Sequence, residues 1–283
     1  MTVALYAQMY GSAVSLAAAL VAVAATGAGG PDAAGPAWGA VSGVGTGIGV
    51  AFLYRAMARG AMSVVVPTSD VTAVAVPVVL GITLLGERPA AAALAGIAAA
   101  FPALWLVSRG ADEGGGPERD PRPRPDGAGS AAPRSGAGRR KTAAGRGRGS
   151  ATRDALVAGA GIAVHFLAVA RMPAGGELWA VTVSRVVSVA VVALAVLGDR
   201  EPWRLPARCT PHVAVAGVLG TLATVLYLYA TRQELLAVAT VLAALYPAIP
   251  VLLALAVLRE RLTLRQSAGL VCAGAAIGLI AMA

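Results

Sequence analysis

The sequence predicts an all-α membrane protein, a bundle of nine transmembrane helices built from two related halves. Three observations lead there. Of the 283 residues, 57% are hydrophobic and only 13% are charged. Apolar runs of about 18 or more residues recur along the chain, the length that crosses roughly 30 Å of hydrocarbon. Finally, one apolar hairpin occurs twice. The segments VAVPVVLGITLLGERPAAAALAGIAAA, from Val74, and PAIPVLLALAVLRERLTLRQSAGLVCA, from Pro247, align at an offset of 173 residues. That offset pairs Pro77 with Pro250, Glu87 with Glu260, Arg88 with Arg261 and Gly96 with Gly269. Internal similarity at a fixed offset marks a repeat architecture. A soluble chain of this size would interrupt such apolar runs with charge every few positions.

The spans are expected at 3–25, 38–58, 62–85, 91–108, 155–171, 178–197, 212–230, 236–257 and 267–283. The first lacks a basic segment before it, and Gln8 and Tyr10 interrupt its start, so it reads as a span rather than a signal peptide. The second carries Gly39, Gly43 and Gly47, with Gly45 and Gly49 offset by two. Small residues four apart let helix backbones approach closely in lipid, where hydrophobicity does not drive pairing. The expected use is packing within the bundle; a dimer interface is the alternative. Cys209 falls in a loop and Cys272 in a span, which argues against a disulfide framework.

Residues 110–154 are glycine, proline and arginine with almost nothing apolar. Such a stretch buries too little surface to offset its ordering entropy, so it reads as a disordered basic tether. It divides the chain into a first half, 1–109, with four spans and a second half, 155–283, with five. The alignment extends beyond the hairpin: Tyr54 meets Tyr227, Arg59 meets Arg232, and span 3–25 matches 178–197 in pattern. Span 155–171 is left without a counterpart. Two origins are open, a nine-span protein or a start codon placed inside a longer gene.

The net charge of +9 lies mostly beside spans. On the side bearing Met1, side A, fall 19 basic residues: Arg55, Arg59, Arg200, Arg204, Arg208, Arg259, Arg261, Arg265 and the eleven from Arg109 to Arg153. Side B holds three, Arg88, Arg171 and Arg232. The positive-inside rule then makes side A cytoplasmic and places the C-terminus outside. No nucleic-acid partner is required to account for the charge.

No catalytic constellation, metal-ligand cluster or phosphate-cradling loop stands out, so no enzyme, cofactor or metal is expected. Gly27–Gly35 is glycine-rich but opens no βαβ unit. Ionisable groups inside spans suggest function by default. Asp70 lies eight residues into its span, roughly 12 Å deep at about 1.5 Å per residue. His165 and Arg185 fall at similar depth on consecutive antiparallel helices. An arginine there keeps its proton and needs an anion, a carbonyl or water. One role is an electrostatic handle for a substrate carboxylate or phosphate; the other is a permanent pairing with Asp70 or with helix-end carbonyls. Prolines 67, 77, 102, 247 and 250 free backbone carbonyls, tolerated in lipid only beside protein or a watered cavity. Tyr246, beside Pro247, would offer a hydroxyl to that cavity. Glu87 and Glu260, at the turns, are expected to cap helices or pair with neighbouring loops.

The repeated proline, apolar run, Glu-Arg turn and glycine-containing span resemble the EamA-type family of drug/metabolite transporters, and the resemblance covers nearly all of the chain except the tether. Arg185 also matches an arginine typical of the second helix of that family's repeat, whereas the first half has only Gln8 and Met9 there. The resemblance implies two inverted five-helix repeats, here lacking the first helix of repeat 1. It implies a multi-pass secondary transporter of the cytoplasmic membrane that moves a small organic metabolite. The family's usual topology places both termini inside and the joint between halves outside, opposite to the charge bias here. Substrate contacts would come from Arg185, Asp70, His165 and Tyr246, with proton coupling through His165 and a monomeric or homodimeric state. The rival reading is a non-transporting scaffold whose tether binds lipid or nucleic acid.

Overall fold

The computed structural model describes residues 1–26, 34–59, 62–114, 137–199, 206–245 and 264–282. Among these residues the structure is all-helical, with no strand. The helices are α1 (Thr2–Thr26), α2 (Ala34–Arg59), α3 (Met62–Thr83), α4 (Ala91–Gly114), α5 (Ala137–Val169), α6 (Glu177–Gly198), α7 (Thr210–Gln233), α8 (Leu236–Ala244) and α9 (Leu264–Ala281). A 3-10 turn, Ala207–Cys209, leads into α7. Helix is the fold that satisfies backbone N–H and C=O groups within one segment, as hydrocarbon demands.

Five helical stretches are long and apolar enough to span a membrane: Thr2–Ala25, Ala34–Arg59, Ser150–Val169, Glu177–Gly198 and Thr210–Gln233. The expected spans in α3, α4 and α9 appear as shorter apolar helices, Thr68–Thr83, Ala91–Leu106 and Ser267–Ile280. The expected span 236–257 is described only as far as α8 and its first following residue; its remainder, with Tyr246, Pro247, Pro250, Glu260 and Arg261, lies outside the described residues. The helices beside the basic stretch run into it from both ends, α4 to Gly114 and α5 from Ala137. Alanine, arginine and lysine are good helix formers, so a span can continue past its apolar part. Residues 115–136 lie outside the described residues.

Local chemistry explains the turns. α3 gives way to the link before α4 at Gly86, whose φ of 69° is the left-handed conformation that favours glycine. Glu87 follows, and its carboxylate accepts the N–H of Leu236 at 2.7 Å and of Ala237 at 3.1 Å. It thus caps α8 and places negative charge at the positive end of that helix. A Cβ at Gly81 would lie 2.5 Å from Glu87 Oε2, so a glycine there keeps room for the cap. The capping role expected for Glu87 is therefore the one observed, and it joins the first half's turn to a helix of the second half. At the same end, Arg232 in the last turn of α7 pairs with Glu177 in the first turn of α6 at 2.5 Å. Both charges complement their helix ends.

α2 runs through the centre, packed on α5 along one face and α6 along another; α3 lies against α5, α1 against α6 and α7, and α4 against α9. The glycines decide this. A Cβ at Gly45 would sit 2.7 Å from the Gly161 carbonyl oxygen, and one at Gly49 would sit 2.8 Å from Ile162 Cγ1, both on α5. A Cβ at Gly47 would sit 2.5 Å from Val191 on α6, while Gly39 and Gly43 abut the backbone carbonyls of Ala180 and Ser184. The glycine seam is filled inside the bundle on two sides, which removes it as a dimer interface. A second core joins α3, α4, α8 and α9 around Val74, Ile97, Leu104, Val241 and Ala276.

Candidate functional site

The close α2–α6 and α2–α5 contacts bring hydroxyls and a histidine together. Ser42, beside Gly43, reaches Ser184 Oγ at 2.8 Å on α6 and His165 Nδ1 at 2.7 Å on α5. Thr46, one turn on, lies 2.8 Å from the same Nδ1. Thr46 donates its own proton to the Ser42 carbonyl at 2.9 Å, so towards His165 its oxygen accepts. Nδ1 is therefore the donor in this arrangement. The His165 ring also lies 5.7 Å from that of Phe166, whose carbonyl faces the Tyr227 hydroxyl at 3.4 Å. Tyr227 in turn lies 2.8 Å from Thr240 Oγ1, which extends the polar line to α8.

Arg185 follows Ser184 and crosses to the other side of α6, between α1 and α7. It is only 8% exposed. Its Nη1 donates to Gln8 Oε1 at 2.9 Å, and its Nη2 donates to Thr224 Oγ1 at 2.6 Å and to the Gly220 carbonyl. Thr224 donates to that same carbonyl at 3.0 Å, so its oxygen is an acceptor for the arginine. All three described acceptors are neutral. They engage three of the five guanidinium N–H donors and leave over those on Nε and the second Nη1 position. The absence of a side chain at Gly11 lets α7 come close to α1: a Cβ there would lie 2.8 Å from Thr221 Oγ1 and 3.1 Å from the Gly217 carbonyl oxygen, but only in ordinary contact, at 3.7 Å, with Arg185 Cδ.

Arg185 and His165 thus occupy linked sites, joined through Ser184 and Ser42. Asp70 is buried on α3, next to Ser69, whose carbonyl faces Gly159 of α5. The described bonds of Arg185 and His165 go to other residues, so the pairing of Arg185 with Asp70 is not what holds the arginine. Tyr246 lies outside the described residues. Sequence reasoning missed Gln8, Ser42, Thr46, Ser184 and Thr224 as partners. Gln8 carried a signal, as a lone amide in an apolar span. The hydroxyls carried none, because serine and threonine occur throughout membrane helices bonded only to their own backbone, as Thr182 is to Leu178.

A solved crystal structure aligns over 99% of this chain and 85% of its own, with 18% sequence identity and a TM-score of 0.65. At that identity the likeness is one of fold. A comparison with curated proteins finds no match. The profile described as the EamA-like transporter family matches residues 155–282, the stretch that supplies His165, Ser184, Arg185 and Thr224. The chain is a multi-pass membrane protein whose residues 155–282 match the EamA-like transporter family, part of the drug/metabolite transporter superfamily.

Proposed function

We propose that this protein is a secondary transporter that exports or exchanges a small organic metabolite across the cytoplasmic membrane, with Arg185 as the handle for an anionic group on the substrate. One observation carries the reading: a guanidinium inside a span, held by neutral acceptors alone among its described bonds. An ionised side chain at a span's centre costs about 2.5–3.5 kcal/mol, and three neutral hydrogen bonds offset part of that while leaving the charge uncancelled. A carboxylate or phosphate would supply the missing charge and take the remaining N–H donors. Asp70 and Tyr246 belong to the same proposed site. Coupling to protons is assigned to His165, the titratable ring joined to the handle through Ser42 and Ser184.

The reading includes two inverted repeats, 1–109 and 155–283, joined by a basic stretch whose ends continue α4 and α5 as helix rather than as the disordered tether expected over 110–154, with side A in the cytoplasm. Its support is the pairing of helices with their sequence counterparts: α1 packs on α6, α3 on α8 and α4 on α9. The test is uptake into proteoliposomes from a panel of amino acids, organic acids and cationic compounds. Uptake of anionic members is expected, retained when residues 115–136, between α4 and α5, are replaced by a short flexible linker. Failure to move any member, with lipid or RNA binding that vanishes with the tether, would favour the scaffold reading.

A further inference from the structure

A pocket separate from the Arg185 site opens where α1 begins and α2 and α6 end. Its volume is about 450 Å³, and it is lined by Met1, Tyr54, Arg55, Ala58, Arg59 and Asp199. Arg55 and Arg59 stand one turn apart on α2. Behind them is Asp154 of α5, which accepts from Arg59 Nη1 at 2.7 Å and lies 3.6 Å from Arg55 Nε. One carboxylate therefore serves two guanidiniums, and Arg55 Nε, although buried, has no hydrogen-bond acceptor among the described residues. Asp199 is the C-cap of α6 and is exposed. The partial negative charge of that helix end adds to its carboxylate.

Among the described residues the pocket presents both signs of charge, so it is not a plain anion trap. It offers a cationic wall on α2 and an anionic wall on α6. The same two helix ends that frame it carry exposed apolar side chains, Val3 on α1 and Leu194 and Leu197 on α6. A ligand that matches all three features has a phosphate, an amine and acyl chains. We propose that the pocket seats the headgroup of an amine-bearing phospholipid, its phosphate on Arg55 and Arg59 and its ammonium on Asp199, with the chains running past Val3, Leu194 and Leu197. A primary ammonium donates hydrogen bonds to a carboxylate; a quaternary choline does not, and a glycerol headgroup brings no positive charge.

Native mass spectrometry of the full chain in detergent reads this directly. Phosphatidylethanolamine, phosphatidylcholine and phosphatidylglycerol are added singly and in competition, with free phosphoethanolamine as the soluble arm. Phosphatidylethanolamine should be retained about fivefold or more over the other two, the order expected for one charge-assisted contact. Asp199→Asn, at an exposed position, should abolish the preference over phosphatidylglycerol, and Arg55→Gln should lower retention of all three. Equal retention by the unaltered protein, a preference for phosphatidylglycerol, or an ethanolamine preference untouched by Asp199→Asn would each overturn the proposal. Competition by free phosphoethanolamine at equal concentration would overturn the lipid source. Binding here and transport through Arg185 are separate readouts, so either can fail alone.

Discussion

α2 and α7 stand in register 173 residues apart, yet one is enclosed and the other open. On α2 the face made by Ser42, Gly45, Thr46, Gly49, Leu53 and Ala56 meets α5. The register images on α7 are Val215, Val218, Leu219, Leu222, Leu226 and Tyr229, and all six are exposed. α7 packs small residues on its other side, where Gly217 abuts the backbone of Ala7 and Gly11 on α1 and Thr221 donates to the Gly11 carbonyl at 3.2 Å. In lipid there is no hydrophobic force between helices, so side-chain size decides how near two backbones come. Two small faces make α2 an inner helix; one small face and one leucine face leave α7 at the rim. The hydroxyls follow the same division: Ser42 and Thr46, which hold His165, become Val215 and Leu219. Enclosure and polarity are thus set together, and the candidate site forms where the helices are closest.

Substitutions that exchange these characters should break the pattern in order of effect. Gly45→Leu should act most strongly. Its side chain would drive into Gly161 and the His165 backbone, beyond the roughly 1–3 kcal/mol of ordinary overpacking. The expected result in detergent size-exclusion is loss of the monodisperse species; a normal profile and melting temperature would mean that α2 and α5 are not in close contact. Glu87→Ala comes next, removing both cap bonds on α8, at a cost of about 1–2 kcal/mol. A lowered melting temperature checks it, with Glu87→Gln recovering part of the loss. Leu222→Ala on the open face of α7 should act least, within about 0.5 kcal/mol. A large loss there would show that the stripe is covered in the native assembly.

Much of the bundle was legible because bilayer thickness imposes a length on apolar runs, and α1, α2, α6 and α7 begin and end within a few residues of the sequence expectation. The Glu87 turn was legible as a cap because an acid at a hairpin has few other uses in a membrane protein. The partners of Arg185 were not. Position along a span gives depth but not azimuth, so Asp70 looked as near to Arg185 as Gln8 did. Which neutral group meets the arginine depends on the α1–α7 approach that Gly11 and Gly217 permit, and that is a property of two glycines 206 residues apart. The division of α2 into two packing faces was legible only as an offset of two between glycine pairs, without the identity of the partner helices.

The proposed role of Arg185, whose described partners are all neutral, is the central claim, and matched substrates test it most directly. Initial uptake into proteoliposomes would be compared for an anionic metabolite and its neutral amide, by the unaltered protein, Arg185→Lys and Arg185→Ala, each first shown to be folded. Arg185→Ala should lower uptake of the anion by about 10- to 100-fold, the equivalent of one or two charge-assisted hydrogen bonds. Arg185→Lys should fall between, keeping the charge but not the planar fork, and the amide should be little affected. Equal uptake of the anion by all three proteins would contradict the account and leave Arg185 as a structural link between α1 and α7.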